Sequence, residues 1–399
     1  MEVKLRYKQS EAGLIPQDWE SYNMLQLTCQ IMDYRGRTPK KLGMEWGGGE
    51  IPALSAGNVK KGYIDFSEEC YFGSDKLYRQ WMTKGDVAKD DILFTTEAPL
   101  GNVALVPDNR RYILSQRTIL LRVRPQLVSS TFLFQMLLSE GFQRILADYS
   151  TGSTAKGIQR KKFELLSVAL PPLPEQQAVA KALCNIDDLI TTLDRLIAKK
   201  RDIKQATMQQ LLTGKTRLPG FSGKWEMKTL GEVASVAKGT QLHSSETNVE
   251  GDFPHFNGGM SASSYTDKAN TPAETIAISE GGNSCGYVQF ISEPFWCGGH
   301  CYAIVPSKVD KRFLYHALKG SQASIMGMRV GSGLPNVQKS ALTAFKIRIP
   351  CDSSEQAAIA AVLSDIDAEL SALEARREKT RNLKQGMMQE LLTGKTRLI

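Results

Sequence analysis

Few residues in this sequence could perform covalent chemistry, and each candidate lacks a part. Gly214-Lys215-Thr216 and Gly394-Lys395-Thr396 have the ending of a loop whose backbone amides wrap a phosphate and whose lysine neutralises it. Such a loop needs a glycine five residues earlier, where Gln209 and Gln389 stand. Both segments therefore read as helix ends, with glycine stopping the helix and Lys or Arg complementing its carbonyls. Leu170-Pro171-Pro172-Leu173 lacks the polar residue that would hold a target amine for methyl transfer, and Pro350-Cys351 has no glycine-rich cofactor loop. Gly331-Ser332-Gly333 has Asn336 where a dinucleotide fingerprint needs its third glycine. Cys297-Gly298-Gly299-His300-Cys301 groups two thiols and an imidazole, but the spacing is cramped for tetrahedral zinc, and the expectation is packing with no metal. Four histidines leave little material for a nucleophilic triad. No residue is assigned a catalytic role.

At 399 residues, 42% hydrophobic and 23% charged, the chain has the composition of a soluble protein of two or more domains. No run of 18 apolar residues occurs, so no membrane span is expected. The start, MEVKLRYKQSEAGLIPQDW, has no apolar core of a secretory signal. Seven scattered cysteines fit a reducing cytoplasm, the expected location. A net charge of +8 fits a polyanionic partner without proving one.

What positions these residues emerges from sliding the sequence along itself. At an offset of 180, residues 175–218 match 355–398 without a gap, with 22 of 44 positions identical. Both copies open on Glu-Gln and close on LLTGKTRL. Fainter echoes precede each copy: Trp19 with Trp225, Asp91–Glu97 with Glu274–Glu280, and Ser129-x-x-Phe132 with Asp310-x-x-Phe313. Gly152-Ser153 and Gln159 likewise recur as Gly331-Ser332 and Gln338. The chain reads as a tandem duplication whose globular halves have diverged more than its connecting segments.

Each connecting segment is proline-free and predicts a helix of about 58 Å at 1.5 Å per residue. A heptad frame places apolar residues at seven of ten seam positions in each copy. The residues expected to pack helix on helix are Leu183, Ile186, Ile190, Leu193, Ile197 and Leu211, against Leu363, Ile366, Leu370, Leu373, Met387 and Leu391. Two such stripes need each other, and the domain between them makes an antiparallel pair the simplest arrangement. Lys200, Lys204, Arg377 and Lys384 interrupt the seam and would face water, a partner or a phosphate backbone. The globular halves mix strand patterns (Asp91–Glu97, Asn102–Val106, Tyr112–Val123) with a helix behind Ser129 or Ser130. The fold class is α+β: two globular domains joined by two long antiparallel coiled-coil helices, with a pseudo-two-fold internal repeat. The boundaries fall at 1–170, 171–218, 219–350 and 351–399.

Two diverged domains punctuated by near-identical helices, with the PPLPEQ opening and LLTGKTRL ending, resemble the specificity subunit of Type I restriction–modification systems. The lead-ins Gly152-Ser153-Thr154 to Lys161 and Gly331-Ser332-Gly333 to Lys339 share the resemblance, while Cys351-Asp352-Ser353 departs from it. The resemblance implies a non-catalytic protein whose two target recognition domains each read one half of a split double-stranded DNA target. The helices would set the spacing and hold two modification (methyltransferase) subunits, to which restriction/translocase subunits add. S-adenosylmethionine, ATP and Mg would belong to those partners, with no cofactor of the chain's own. A helix pair of about 58 Å could bridge half-sites about 10–13 base pairs apart.

On that reading, the first domain's candidate DNA contacts are Arg35, Arg37, Thr38, Lys40, Gly57, Asn58, Thr96, Gln116, Arg117, Ser153, Thr154 and Lys156. Those of the second are Lys238, Gln241, Asn257, Gly258, Glu280, Gly282, Asn283, His300, Ser332 and Asn336. Arg and Gln suit bidentate contacts to guanine and adenine edges, and lysines suit phosphates. The alternatives are a stand-alone DNA-modifying enzyme and a coiled-coil scaffold with no DNA role.

Overall fold

The computed structural model describes residues 6–152, 156–243, 246–247, 250–331 and 333–398. Two compact units form, one from Met1–Thr192 with Arg377–Ile399 and the other from Leu193–Arg376. The division falls inside the two long helices, Leu173–Leu211 and Ser353–Leu391, and not where the composition changes near 170, 218 and 350. The reason is burial. Val179, Leu183 and Leu391 belong to the first unit's core, and Leu211, Ile359 and Leu363 to the second's.

In the first unit a central antiparallel sheet orders Thr28–Asp33, Thr118–Val123, Ile92–Thr96 and Leu100–Leu105. Ile92–Thr96 is buried at every position, which explains why its sequence runs apolar without alternating. Helix Ser130–Leu138 packs on this sheet, with Ser129 as its cap. That helix stops at Ser139, whose hydroxyl caps a second helix, Glu140–Asp148. The run Tyr112–Val123 likewise divides into Ile113–Leu114 and Thr118–Val123, around a turn with Arg117 at φ +63°. A smaller sheet joins Tyr71–Gly73, Ile51–Leu54 and Ile113–Leu114 over Trp81 and Tyr112. Glu20–Asn23 pairs with Ser167–Leu170.

The second unit repeats the order of these sheets and of the helix that follows them. Its central sheet is Ala234–Lys238, Cys301–Pro306, Thr275–Ser279 and Val288–Ile291, and its small sheet Ser264–Thr266, Phe253–Phe256 and Trp296–Cys297. Trp225–Thr229 pairs with Lys346–Pro350. Asp310 caps helix Lys311–Gly320 as Ser129 caps its counterpart. Pairing fixes the equivalence: Thr95 faces Thr118 as Ser279 faces Cys301, and Asp90 and Glu274 both precede their strands with positive φ. Thr96 therefore matches Glu280. The echo of Asp91–Glu97 in Glu274–Glu280 is one residue out of register, because strands buried on both faces carry no alternation to fix it.

The helices pair antiparallel within each unit, fastened by reciprocal clamps. Arg217 grips the fully buried Glu355 in the second unit, with Nη2 at 2.6 Å from Oε2. Arg397 does the same to Glu175 in the first, at 2.6 Å, and also holds Asp18. Gln176 accepts from Ser129 N and donates to Pro171 O, and Gln356 repeats this with Asp310 N and Pro350 O. Along the seam Leu193, Ile197 and Leu370 are buried, while Ile186, Ile190, Ile366, Leu373 and Met387 are partly so. The seam lysines, expected to face water, a partner or a phosphate backbone, pair with carboxylates across the two helices. Lys204 pairs with Asp367, Lys200 with Glu369, and Lys384 with Asp187 at 2.7 Å. Arg377 is also engaged.

Gly214 and Gly394 end the helices at φ +67° and +71°, as expected of C-terminal glycines. At Gly394 an added Cβ would run into Pro16 Cγ and meet the Trp19 ring at 3.0 Å, so glycine is required there for space as well as for conformation; at Gly214 it would crowd the Trp225 ring at 3.2 Å. Arg217 and Arg397 lie over the same two rings. The GKTR motif is thus a helix stop joined to a clamp. No helix among the described residues is long and apolar enough to cross a membrane.

Candidate nucleic-acid interface

At one end of each central sheet, loops distant in sequence are tied together at the end of an inner strand, through its last residue Thr96 in the first unit and through Glu280, directly after Ser279, in the second. In the first unit, Thr96 N donates to Arg117 O at 2.9 Å and Thr96 O accepts from Ile158 N at 2.9 Å. Glu97 bridges to Gly157, and Ala56 N donates to Gln116 O. The second unit repeats the knot. Glu280 N donates to His300 O at 2.9 Å, Glu280 O accepts from Val337 N at 2.8 Å, and Gly281 bridges to Asn336.

Onto the first knot the strand end Asp33 brings Arg35. Its Nε and Nη2 bind the Asp33 carboxylate at 2.9 and 2.7 Å, and its Nη1 donates to Thr96 Oγ1 at 3.1 Å. Burial alone would raise the Asp33 carboxyl, but the Arg35 guanidinium holds it below the ordinary value. Arg35 lines an open hollow with Lys84, Glu97 and Arg160. A neighbouring groove gathers Arg37, Thr38, Gly57, Gln116 and Arg117 beside Trp46 and Tyr71, whose rings stack 5.5 Å apart. Arg37 also donates to Trp81 O, and the Thr38 hydroxyl accepts from Lys41 N at 3.3 Å. Lys40 and Lys156 are exposed.

On the second knot Glu280 Oε1 accepts from Tyr302 Oη and Lys238 Nζ, both at 2.8 Å, and Oε2 lies 3.7 Å from His300 Nδ1. Burial and the bond to Glu280 push the Tyr302 hydroxyl well above its ordinary pKa, keeping it a donor. Asn257 Oδ1 accepts from His300 N at 3.0 Å, and Gly282 N donates to Pro335 O at 2.9 Å. Gln241, Asn283 and Asn336 are exposed. Sequence reasoning thus selected loops that converge in each unit.

Three of its residues are placed otherwise. Asn58 is fully buried, accepting from Ser55 N and Oγ and so closing its turn, and Thr96 is fully buried under Arg35. Gly258 is buried at φ +87° with His300 O close by. As placed, these three shape the surface and cannot reach a duplex. Ser153, Thr154 and Ser332 lie outside the described residues. Asp33 and Tyr302, which orient Arg35 and Glu280, were missed. The two residues after Asp33 in the sequence, Tyr34-Arg35, could have signalled the local carboxylate–guanidinium pair. Cys297 and Cys301 are buried with Phe295 and Ala303, while His300 is exposed. Among the described residues no group of three or more His, Cys, Asp or Glu could hold a metal.

A family model described as the Type I restriction modification DNA specificity domain matches residues 16–200 and 222–381. A Mycoplasma genitalium protein named as a type I specificity subunit is 35% identical over 163 residues, 40% of this chain and 42% of that protein. The chain thus spans less than half of that relative. The type I restriction enzyme MjaVIII specificity subunit of Methanocaldococcus jannaschii is 23% identical over 427 aligned residues, covering 98% of this chain and 96% of that one. In fold, the chain is similar to the crystal structure of the Type I restriction–modification system S subunit from M. genitalium, with a TM-score of 0.69 and 19% identity. That match covers 94% of this chain and 96% of the other.

Proposed function

The chain belongs to the Type I restriction–modification DNA specificity family, and from that premise we propose that it is a non-catalytic subunit that chooses the DNA sequence at which partner subunits act. Each unit reads one half of a bipartite target, and the paired helices set the spacer. The carrying observation is that one loop knot is built twice, on equivalent strand ends, with different side chains around it. A conserved frame with divergent outward groups is what two different half-sites require, and the internal repeat suits two identical partners. Two methyltransferase subunits dock along the helices, and restriction/translocase subunits join through them. S-adenosylmethionine, ATP and Mg are handled by those partners, and the complex works in the cytoplasm.

Exchanging residues 1–174 for the matching segment of another specificity subunit is expected to change one half of the methylated target and leave the other half and the spacer unaltered. A target unaffected by the exchange would argue for a scaffold instead. Methyl transfer or cleavage by the isolated chain would argue for a stand-alone enzyme.

A further inference from the structure

The pairing registers align the two knots residue by residue and show that their polar groups are inverted. Asp33 faces Ile119 across the sheet as Lys238 faces Tyr302, so Asp33 corresponds to Lys238, Thr96 to Glu280 and Ile119 to Tyr302. In the first unit the edge strand ends in a carboxylate and the central strand in a neutral hydroxyl. In the second the edge strand ends in an ammonium and a carboxylate directly follows the central strand.

The consequences differ for what each surface can offer a base. In the first unit Asp33 takes the Nε and Nη2 side of the Arg35 guanidinium and Thr96 takes one Nη1 proton. One N–H on each Nη is left over by these bonds, a planar pair of donors held at fixed aim in an open hollow. In the second unit Glu280 Oε1 is filled by Tyr302 and Lys238, while among the described residues Oε2 meets only His300 at 3.7 Å, beyond a hydrogen bond. The Glu280 side chain is 14% exposed and already desolvated, which favours pairing with a donor that fits. Lys238 beside it offsets the repulsion a carboxylate would feel from phosphates.

Resting on the DNA-reading function above, we infer that the two units present opposite hydrogen-bond polarity to the major groove from corresponding knots, through residues that are not themselves equivalent in register. Arg35 offers donors to the N7/O6 edge of a guanine in one half-site, and Glu280 offers an acceptor to the exocyclic amine of a cytosine or adenine in the other. The major groove distinguishes these edges as acceptor pair and amine donor. Asp33 and Tyr302 are positioning residues that aim the two readers.

Deleting single DNA atoms tests this with the wild-type chain in complex with its methyltransferase subunit. The bipartite target is synthesised with 7-deazaguanine at each guanine of the first half-site. In the second half-site, 2-pyrimidinone replaces each cytosine and purine each adenine, and binding is measured for every duplex. One 7-deazaguanine and one amine-free base are each expected to weaken binding about 10-fold or more. Which amine-free base does so tells cytosine from adenine. Arg35→Met should abolish the first effect and Glu280→Gln the second, because the glutamine oxygen stays with the donors Tyr302 and Lys238 and turns its NH2 outward, each leaving the other half-site's pattern intact. Tyr302→Phe keeps the Glu280 acceptor and should keep the amine requirement, which a merely structural Glu280 would not. If no amine deletion in the second half-site weakens wild-type binding, or Glu280→Gln still requires the same amine, the inference is overturned. If the wild-type complex selects no bipartite site at all, it is the reading of function that fails.

Discussion

His316 and Gln135 occupy the same place on the helices that follow Asp310 and Ser129, and both meet the long-helix seam. Gln135 donates to Asp187 Oδ2 at 2.9 Å, whereas His316 bonds Ser364 Oγ at 3.1 Å with its Nδ1 4.0 Å from Asp367. Burial, with only part of the effect returned by Asp367, lowers the His316 pKa from 6.5 to about 4. The folded state therefore resists a proton that the unfolded chain accepts. This contribution to stability is fully present above pH 6.5 and is lost as pH falls toward 4. At pH 5 the loss is on the order of 2 kcal/mol, since each pKa unit corresponds to about 1.4 kcal/mol. His316→Gln, copying the first unit, should match the wild type at pH 7.5 and be the more stable at pH 5. Thermal melts at both pH values check this; a parallel decline of the two proteins would contradict it. Exposure at this scale was the least legible property of the sequence. Asn58 and Thr96 look like outward loop residues until the bonds from Ser55 and Arg35 are seen: the first is a turn closed within three residues, and the second joins segments 61 residues apart in sequence.

Among the elements, the long helices were readable because freedom from proline and a heptad stripe are local signals. The clamps were not, since Glu175 and Arg397 meet across 222 residues of sequence. Yet the repeat displayed both partners twice, at the same offset. Arg217→Ala leaves Glu355 buried and uncompensated, so it should destabilise the second unit by about 3 kcal/mol or more. Denaturant titration reads this, and a change under about 1 kcal/mol would contradict the clamp. The seam pairs also decide how spacing can be altered. Four residues added to one helix alone would move Lys384 off Asp187 or Lys204 off Asp367. Four residues in each helix, at 192/193 and 376/377, keep both of these pairs and add about 6 Å. The target spacer should then grow by about two base pairs with both half-sites unchanged, as methylation-site mapping would reveal. An unchanged spacer would mean the helices do not set it.

Across the whole chain, divergence follows role. The clamp and seam residues Glu175, Asp187, Lys204 and Arg217 recur identically at 355, 367, 384 and 397, while the knots carry Thr against Glu and Asp against Lys at matching positions. The duplication was legible over 44 residues because the helices answer to each other. In the globular halves the echoes were faint because buried strands need only apolar residues of suitable size, which left the register one residue out. On the proposed function, one chain reads two unlike half-sites at a fixed interval on behalf of a methyltransferase. The most direct measurement is single-base mapping of methylated positions in DNA from cells carrying the chain with its methyltransferase subunit, and from the same cells lacking the chain. Two short specified sequences separated by a constant unspecified gap, methylated only when the chain is present, are the predicted result. An uninterrupted motif, or methylation that persists without the chain, would contradict it.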